Sequence, residues 1–220
     1  GLAALHSLDF AHLSLHPGNV VLDAKSHVKL ADYALPLELL LSRGKMLDAL
    51  DERSELLEEH TLYRSPELLR LSVGADEEPD APLLPSDVWA LGCLLLRVLT
   101  LEPLYASATL EGTPTASVLS RTLPRVASGE LHPASHLDEA VHPWQPTEPA
   151  VPTHAAALIR RCTAPSPAER PTALEVVEFV TAHRQREMHE RARSRAFAPE
   201  PKHVPSSPAP ARRERPVINV

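Results

Sequence analysis

The sequence predicts a mainly α-helical domain that carries one short β-hairpin. Leu and Ala are abundant and aromatic residues make up only 4% of the 220 residues, a composition that favours helices. Residues 88–101 are apolar on nearly every face, as expected of a helix buried inside a domain. Two short apolar runs, 20–22 and 28–30, flank a polar turn and predict the hairpin. The hydrophobic fraction of 43% is sufficient for one medium-sized core.

Helices are predicted along the rest of the chain. Residues 1–7 have the pattern of the end of a helix, and Ser86 is expected to cap the N-terminus of the apolar helix. Residues 112–152, rich in Pro, Ser, Thr and His, predict a surface loop with short helices. Apolar residues at helical spacing predict two further helical elements. The helix that closes the domain is predicted from Ala173, Val176, Val177 and Val180. An amphipathic segment is predicted from Met46, Leu47, Leu50 and Leu57.

The predicted hairpin carries a polar residue at each end. Asn19 lies just before the first strand and Asp32 just after the second. Because the strands of a hairpin are antiparallel, we expect the two side chains to lie close together. Two oxygen ligands of this kind suit a hard cation that holds phosphates. The alternative interpretation is that both residues cap loops.

Several short motifs occur in the order and spacing of a known family. They are H-L-S-L-H-P-G-N at 12–19 with D-Y-A at 32–34, Y-R-S-P-E at 63–67, D-V-W-A-L-G at 87–92, and C-T-A-P-S-P-A-E-R-P-T at 162–172. The chain resembles the lower, C-terminal lobe of a Ser/Thr-kinase-like domain of the protein kinase superfamily. The resemblance implies a kinase-like α+β fold over residues 1–183, of which only the C-terminal lobe is present and in which the hairpin carries the catalytic and metal loops.

The resemblance also implies two structural contacts of the lobe. Glu67 and Arg170 should form a buried ion pair that ties the activation segment to the lobe. Asp87 should hold the backbone of the loop at 12–14. Removing one partner of a buried ion pair is expected to cost roughly 3–5 kcal/mol.

Further implications of the resemblance concern ligands. Asn19 and Asp32 match the family's magnesium ligands, and Leu22 in the strand after Asn19 would contact the nucleotide. The sequence contains no glycine-rich phosphate loop and no upper-lobe lysine ahead of these motifs. We therefore expect the chain to be part of a longer protein. Mg-ATP would bind only to that parent, and no cofactor is expected for this chain alone.

The positions that carry phosphoryl transfer in the family are altered here. Ser14 stands in place of the aspartate that accepts the substrate proton, and a hydroxyl cannot take a proton at neutral pH as a carboxylate can. His16 stands in place of the lysine that steadies the phosphoryl group, and an unperturbed imidazole is mostly neutral above pH ~6.5. Leu13 replaces the arginine that senses a phosphorylated activation loop. Ala34 replaces a glycine, and His60 replaces a threonine.

Three hypotheses about function remain open. The first is a pseudokinase lower lobe that has lost the reaction and acts on protein partners as a scaffold or allosteric regulator. The second is a divergent active Ser/Thr protein kinase that uses another base or relies on positioning. The third is a non-functional remnant whose lower lobe does not fold alone.

Residues 184–220 differ in charge from residues 1–183. They contain nine Lys/Arg and four Asp/Glu, whereas residues 1–183 contain 13 and 25. We expect this basic, proline-rich tail to be helical through Phe197 and disordered from Pro199. It would either contact an anionic or proline-reading partner or be a solvated terminus. No nucleic-acid partner is predicted.

The cysteines and histidines suggest few other sites. Cys93 and Cys162 are expected to be reduced, buried packing residues of an intracellular, cytoplasmic protein. No apolar run has the length of a membrane span. His12 and His16 are spaced like zinc ligands on a helix, but they lie in a loop motif, which disfavours that site. A hydrolytic triad at Ser14 is disfavoured because no nucleophile-elbow sequence surrounds it.

Overall fold

The structure is a computed structural model of the protein. It confirms the predicted, mainly α-helical fold class. The structure describes residues 1–32, 60–72, 83–105, 115–135, 137, 141–142, 145–149 and 151–196. The predicted amphipathic segment at 46–57 and the predicted disorder from Pro199 lie outside the described residues. The chain divides into two compact units, Gly1–Val180 and Thr181–Val220.

The described residues form six helices and four strands. The helices are α1 (Leu2–His6), α2 (Pro66–Ser72), α3 (Leu84–Thr100), α4 (Thr115–Ala127), α5 (Thr153–Cys162) and α6 (Ala173–Ala196). The strands are β1 (Val20–Leu22), β2 (Val28–Leu30), β3 (Val141–His142) and β4 (Gln145–Pro149), paired as two separate antiparallel hairpins. Short 3-10 turns lie at Pro17–Asn19 and Pro167–Glu169. Among the described residues, no helix is both long enough and apolar enough to cross a membrane.

The predicted β1–β2 hairpin is confirmed. Its cross-strand pairs are Val20 with Leu30, Val21 with Lys29, and Leu22 with Val28. The carboxylate of Asp23 closes the turn, since it accepts hydrogen bonds from the backbone N–H groups of Lys25 and His27. The hairpin thus has Asn19 immediately before β1 and Asp32 shortly after β2.

Helix α3 is the centre of the core, as its apolar sequence predicts. Val88, Trp89 and Cys93 are at most 1% exposed. The prediction that Ser86 caps this helix is wrong. Helix α3 begins at Leu84, Pro85 occupies its first turn without disrupting it, and the Ser86 hydroxyl donates to a carboxylate on α2 instead.

A glycine lets α5 approach α3 closely. A Cβ atom on Gly92 would lie 2.7 Å from Thr163 Cγ2 and 2.8 Å from Cys162 Cβ, so a side chain there would force the helices apart. The predicted burial of Cys93 and Cys162 is confirmed, and both are free thiols. Burial raises the pKa of the Cys162 thiol to about 11, so it is a packing group rather than a nucleophile at neutral pH.

The described residues of 112–152 are more regular than the composition of this segment predicts. It contains the 13-residue helix α4, which buries Val118, Leu119 and Val126, and the hairpin β3–β4. The prediction of a loop with short helices is therefore wrong for α4. Pro124 lies inside this helix and lowers its intrinsic propensity, whereas packing of the apolar side chains stabilises it.

The predicted closing helix, α6, is confirmed. Thr172 and Glu175 form a capping box, in which the Thr172 N–H donates to the Glu175 carboxylate and the Glu175 N–H donates to Thr172 Oγ1. Val176 is buried, whereas Val177 and Val180 are about half exposed, at 51% and 50%. The predicted packing of these two valines is therefore wrong, because the buried face of α6 turns away from them.

Candidate functional site

Asp87 holds the loop that precedes Ser14. Its Oδ2 atom accepts a hydrogen bond from the backbone N–H of His12 at 2.6 Å, and its Oδ1 atom accepts one from Leu13 at 2.7 Å. His6 Nε2 lies 2.9 Å from the same Oδ2 atom. Leu13 has φ 58°, a left-handed conformation that is costly for leucine. The predicted role of Asp87 is confirmed, and the carboxylate fixes this strained backbone.

Asn19 holds Ser14 from the other side of the loop. Its Nδ2 atom donates to the Ser14 carbonyl at 2.8 Å and to the Ser14 hydroxyl at 3.2 Å. Asn19 is 6% exposed. An amide nitrogen does not ligate a hard cation, so Asn19 can offer only its Oδ1 atom to magnesium.

The structure places Asp32 at the same end of the hairpin as Asn19. The Ala31 N–H donates to the Asn19 carbonyl at 2.9 Å, which joins the end of β2 to the start of β1. Asp32 is exposed and has φ 52°. One carboxylate and one amide oxygen are the donor types that fit magnesium. Leu22 is 67% exposed on the same hairpin, and its nucleotide contact stays a prediction.

His16 is buried against a second histidine. Its ring stacks on the ring of His60, with 3.5 Å between the centroids and 18° between the planes. His16 Nδ1 accepts a hydrogen bond from the Gly18 N–H at 3.2 Å. Burial, with smaller contributions from His60 and His12, lowers the pKa of His16 from 6.5 to about 4. The ring is therefore neutral at pH 7 and supplies no fixed positive charge.

The predicted ion pair between Glu67 and Arg170 is confirmed. Arg170 donates to both carboxylate oxygens of Glu67, at 2.6 and 2.9 Å, and its side chain is 0% exposed. Ser86 donates to Glu67 at 2.8 Å, and Ser65 donates to Ser86 at 2.9 Å. Burial alone would raise the pKa of Glu67, but the hydrogen bonds and charge of Arg170 outweigh it and lower that pKa.

The protein kinase domain family matches residues 1–180. The chain belongs to the protein kinase family. It is 35% identical over 109 residues to serine/threonine-protein kinase ICK of Rattus norvegicus, covering 50% of this chain and 15% of that protein. Mitogen-activated protein kinase kinase kinase 5 of Arabidopsis thaliana is 25% identical over 178 residues, 81% of this chain and 20% of that protein. Cell division control protein 2 homolog 2 of Trypanosoma brucei brucei is 31% identical over 191 residues, 81% of this chain and 49% of that protein. The chain thus spans between 15% and 49% of the length of these relatives.

This kinase-family site combines a preserved frame with substituted residues in the catalytic loop. The sequence predicted the positions of Ser14, His16, Asn19 and Asp32 relative to the hairpin, and the structure brings the first three into one loop. It did not predict the stacking of His16 on His60. The signal in the sequence was that histidine replaces both the family's lysine at position 16 and its threonine at position 60.

The buried His16 predicts a specific pH dependence. The unfolded chain takes up a proton near the ordinary histidine pKa of 6.5, whereas the folded chain does so only near pH 4, so stability falls as the pH decreases between these values. The loss should be on the order of 3 kcal/mol once the pH is below both pKa values. Denaturant unfolding at several pH values should show that His16→Gln removes this dependence. His27→Gln, at an exposed histidine, should leave it intact. An unchanged pH profile in His16→Gln would contradict the neutral state of the buried ring.

Proposed function

We propose that this chain is the lower lobe of a pseudokinase, which acts as a scaffold or allosteric regulator of a protein partner instead of transferring phosphate. The observation that carries the proposal is the catalytic loop itself. Asp87 and Asn19 hold it in place, yet it presents a serine hydroxyl and a neutral imidazole where phosphoryl transfer needs a carboxylate and a cation.

Each altered group removes a separate contribution to the reaction. A general base contributes about 10²- to 10⁴-fold in rate, and the Ser14 hydroxyl does not act as one at neutral pH. A positive charge near the transferred group stabilises the transition state, and His16 is neutral at pH 7. Leu13 cannot bind a phosphorylated activation loop as an arginine would. All of these losses affect the phosphoryl-transfer step, whereas the fold is retained. They therefore support the proposal that the domain functions by binding.

Nucleotide binding is proposed only for the longer protein. There, Asn19 Oδ1 and the Asp32 carboxylate would hold the magnesium ion of Mg-ATP, and Leu22 would contact the nucleotide. Magnesium would neutralise the phosphate charge. This chain alone lacks a glycine-rich loop and is proposed to bind no cofactor.

The partner is proposed to be a protein. The basic segment 184–220, with nine Lys/Arg and four Asp/Glu, would contact an anionic or a proline-reading partner. A divergent active Ser/Thr protein kinase is the second candidate, and the positions of Asn19 and Asp32 at one end of the hairpin favour it.

A phosphotransfer assay distinguishes these two functions. We expect the purified full-length protein, given Mg-ATP and Ser/Thr peptides, to show only background transfer that Ser14→Ala does not change. The physical reason is that the hydroxyl removed was not serving as a base. Magnesium-dependent turnover that Asp32→Ala abolishes would instead establish the active-kinase function. Lys25→Ala, at an exposed hairpin residue, controls for general effects of substitution.

A further inference from the structure

The His16–His60 stack joins two separate segments of the chain. His16 belongs to the catalytic loop, and His60 begins the segment that leads into α2. The rings lie 3.5 Å apart between centroids and are nearly parallel, at 18°. Stacked aromatic pairs contribute stabilisation beyond the apolar area that they bury. The contact therefore favours one placement of the second segment against the first.

Each ring is attached to a hydrogen-bonded backbone. On the loop side, the His16 carbonyl accepts the Asn19 N–H at 3.0 Å. On the other side, the His60 carbonyl accepts the Tyr63 N–H at 3.2 Å, and the next carbonyl along accepts the Arg64 N–H at 3.1 Å. His60 thus sets the start of a turn that continues to Ser65 at the N-terminus of α2. The stacked ring therefore belongs to the first residue of this hydrogen-bonded turn.

Gly18 leaves space for the stack. A Cβ atom at this position would lie 3.0 Å from His16 Cε1 and 3.7 Å from His60 Nε2. A side chain there would press on the His16 ring and require it to shift, whereas glycine leaves the paired rings in place.

We propose that His16 and His60 form an aromatic latch that orders residues 60–65, the end of the activation segment, against the catalytic loop. The two histidines are then a matched pair and not two independent losses of catalytic residues. This inference goes beyond the proposed function, because the latch would operate whether or not the full-length protein transfers phosphate. It makes His60 a positioning residue for the surface that a partner would meet.

Amide hydrogen exchange in the full-length protein tests the latch. We expect His60→Ala to accelerate exchange of the Tyr63 and Arg64 amides roughly 2- to 10-fold, as lost aromatic stacking predicts, with little change in the α3 amides. His60→Phe keeps a ring and should restore protection. His27→Ala, at an exposed histidine in the hairpin turn, should have no effect on these amides.

A second set of variants keeps the test decisive if one change also lowers global stability. Exchange of the Tyr63 and Arg64 amides is compared with exchange of the α3 amides in each variant. If the latch exists, His16→Ala and the double variant His16→Ala/His60→Ala should accelerate this relative exchange no more than His60→Ala does. The reason is that each variant breaks the same contact. Additive acceleration in the double variant would overturn the proposal. So would wild-type protection in His60→Ala, or a His60→Phe variant that exchanges as fast as His60→Ala.

Discussion

Replacing either Glu67 or Arg170 with alanine should lower the free energy of unfolding by about 3–5 kcal/mol, because each change leaves a buried charge without its partner. The two residues are 103 positions apart in sequence and form two direct hydrogen bonds. The pair therefore connects the segment that begins α2 to the turn before α6. No local preference of either segment would produce that contact.

The environment of Arg170 explains why the cost is large. Its guanidinium also donates to the backbone carbonyls of Pro85, Ala164 and Pro165, and it lies 5.0 Å from the centre of the Trp89 ring. In Glu67→Ala these neutral acceptors remain, but the charge stays buried with no anion. The double variant removes both charges, so it should cost much less than the sum of the single changes.

Urea unfolding of the four proteins in this cycle measures the coupling. The exposed pair Arg125 and Glu130 is the matched control, since its atoms lie 2.9 Å apart but its side chains are 43% and 64% exposed. Its coupling should be at most about 1 kcal/mol, as for other surface pairs. Single changes at Glu67 and Arg170 that cost about 0.5 kcal/mol each and add independently would show that the buried pair does not stabilise the lobe.

The frame of this site could be predicted because its parts are tied to short motifs. Glu67, Asp87 and Arg170 each lie in a motif whose family role is a charge–charge or charge–backbone contact, and both predicted contacts are present. The hairpin could be predicted from apolar runs on both sides of a polar turn, which Asp23 closes. In each case the contact is either made within a short stretch of the chain or specified by a motif.

The remaining features depend on tertiary contacts that a sequence pattern does not contain. Serine is a residue type that commonly caps helices, but the Ser86 hydroxyl donates to Glu67, and the helix starts at Leu84 instead. Residues 115–127 contain an internal proline, and buried side chains still stabilise the helix. His16 and His60 were identified as substitutions, yet only their positions in space reveal the stacked pair.

Replacing Asp87 with alanine should cost about 2–5 kcal/mol, because two backbone N–H groups would lose their acceptor in a nearly inaccessible site. The groups are those of His12 and Leu13, and Asp87 is 1% exposed. Leu13 would also lose the contact that holds its left-handed backbone. The expected local result is faster amide exchange at 12–14 in addition to lower global stability.

The isosteric change Asp87→Asn separates hydrogen bonding from packing. Asparagine keeps the volume of the side chain, but its amide nitrogen cannot accept, so the backbone N–H of either His12 or Leu13 must face another donor. If the carboxylate acts mainly by accepting hydrogen bonds, Asp87→Asn should retain most of the destabilisation of Asp87→Ala. Denaturant unfolding measures both, and Glu102→Ala, an exposed acid just beyond α3, should change stability by less than about 0.5 kcal/mol. Wild-type stability in Asp87→Asn would mean that the side chain only fills space, and the catalytic loop would then need another anchor to keep Leu13 in place.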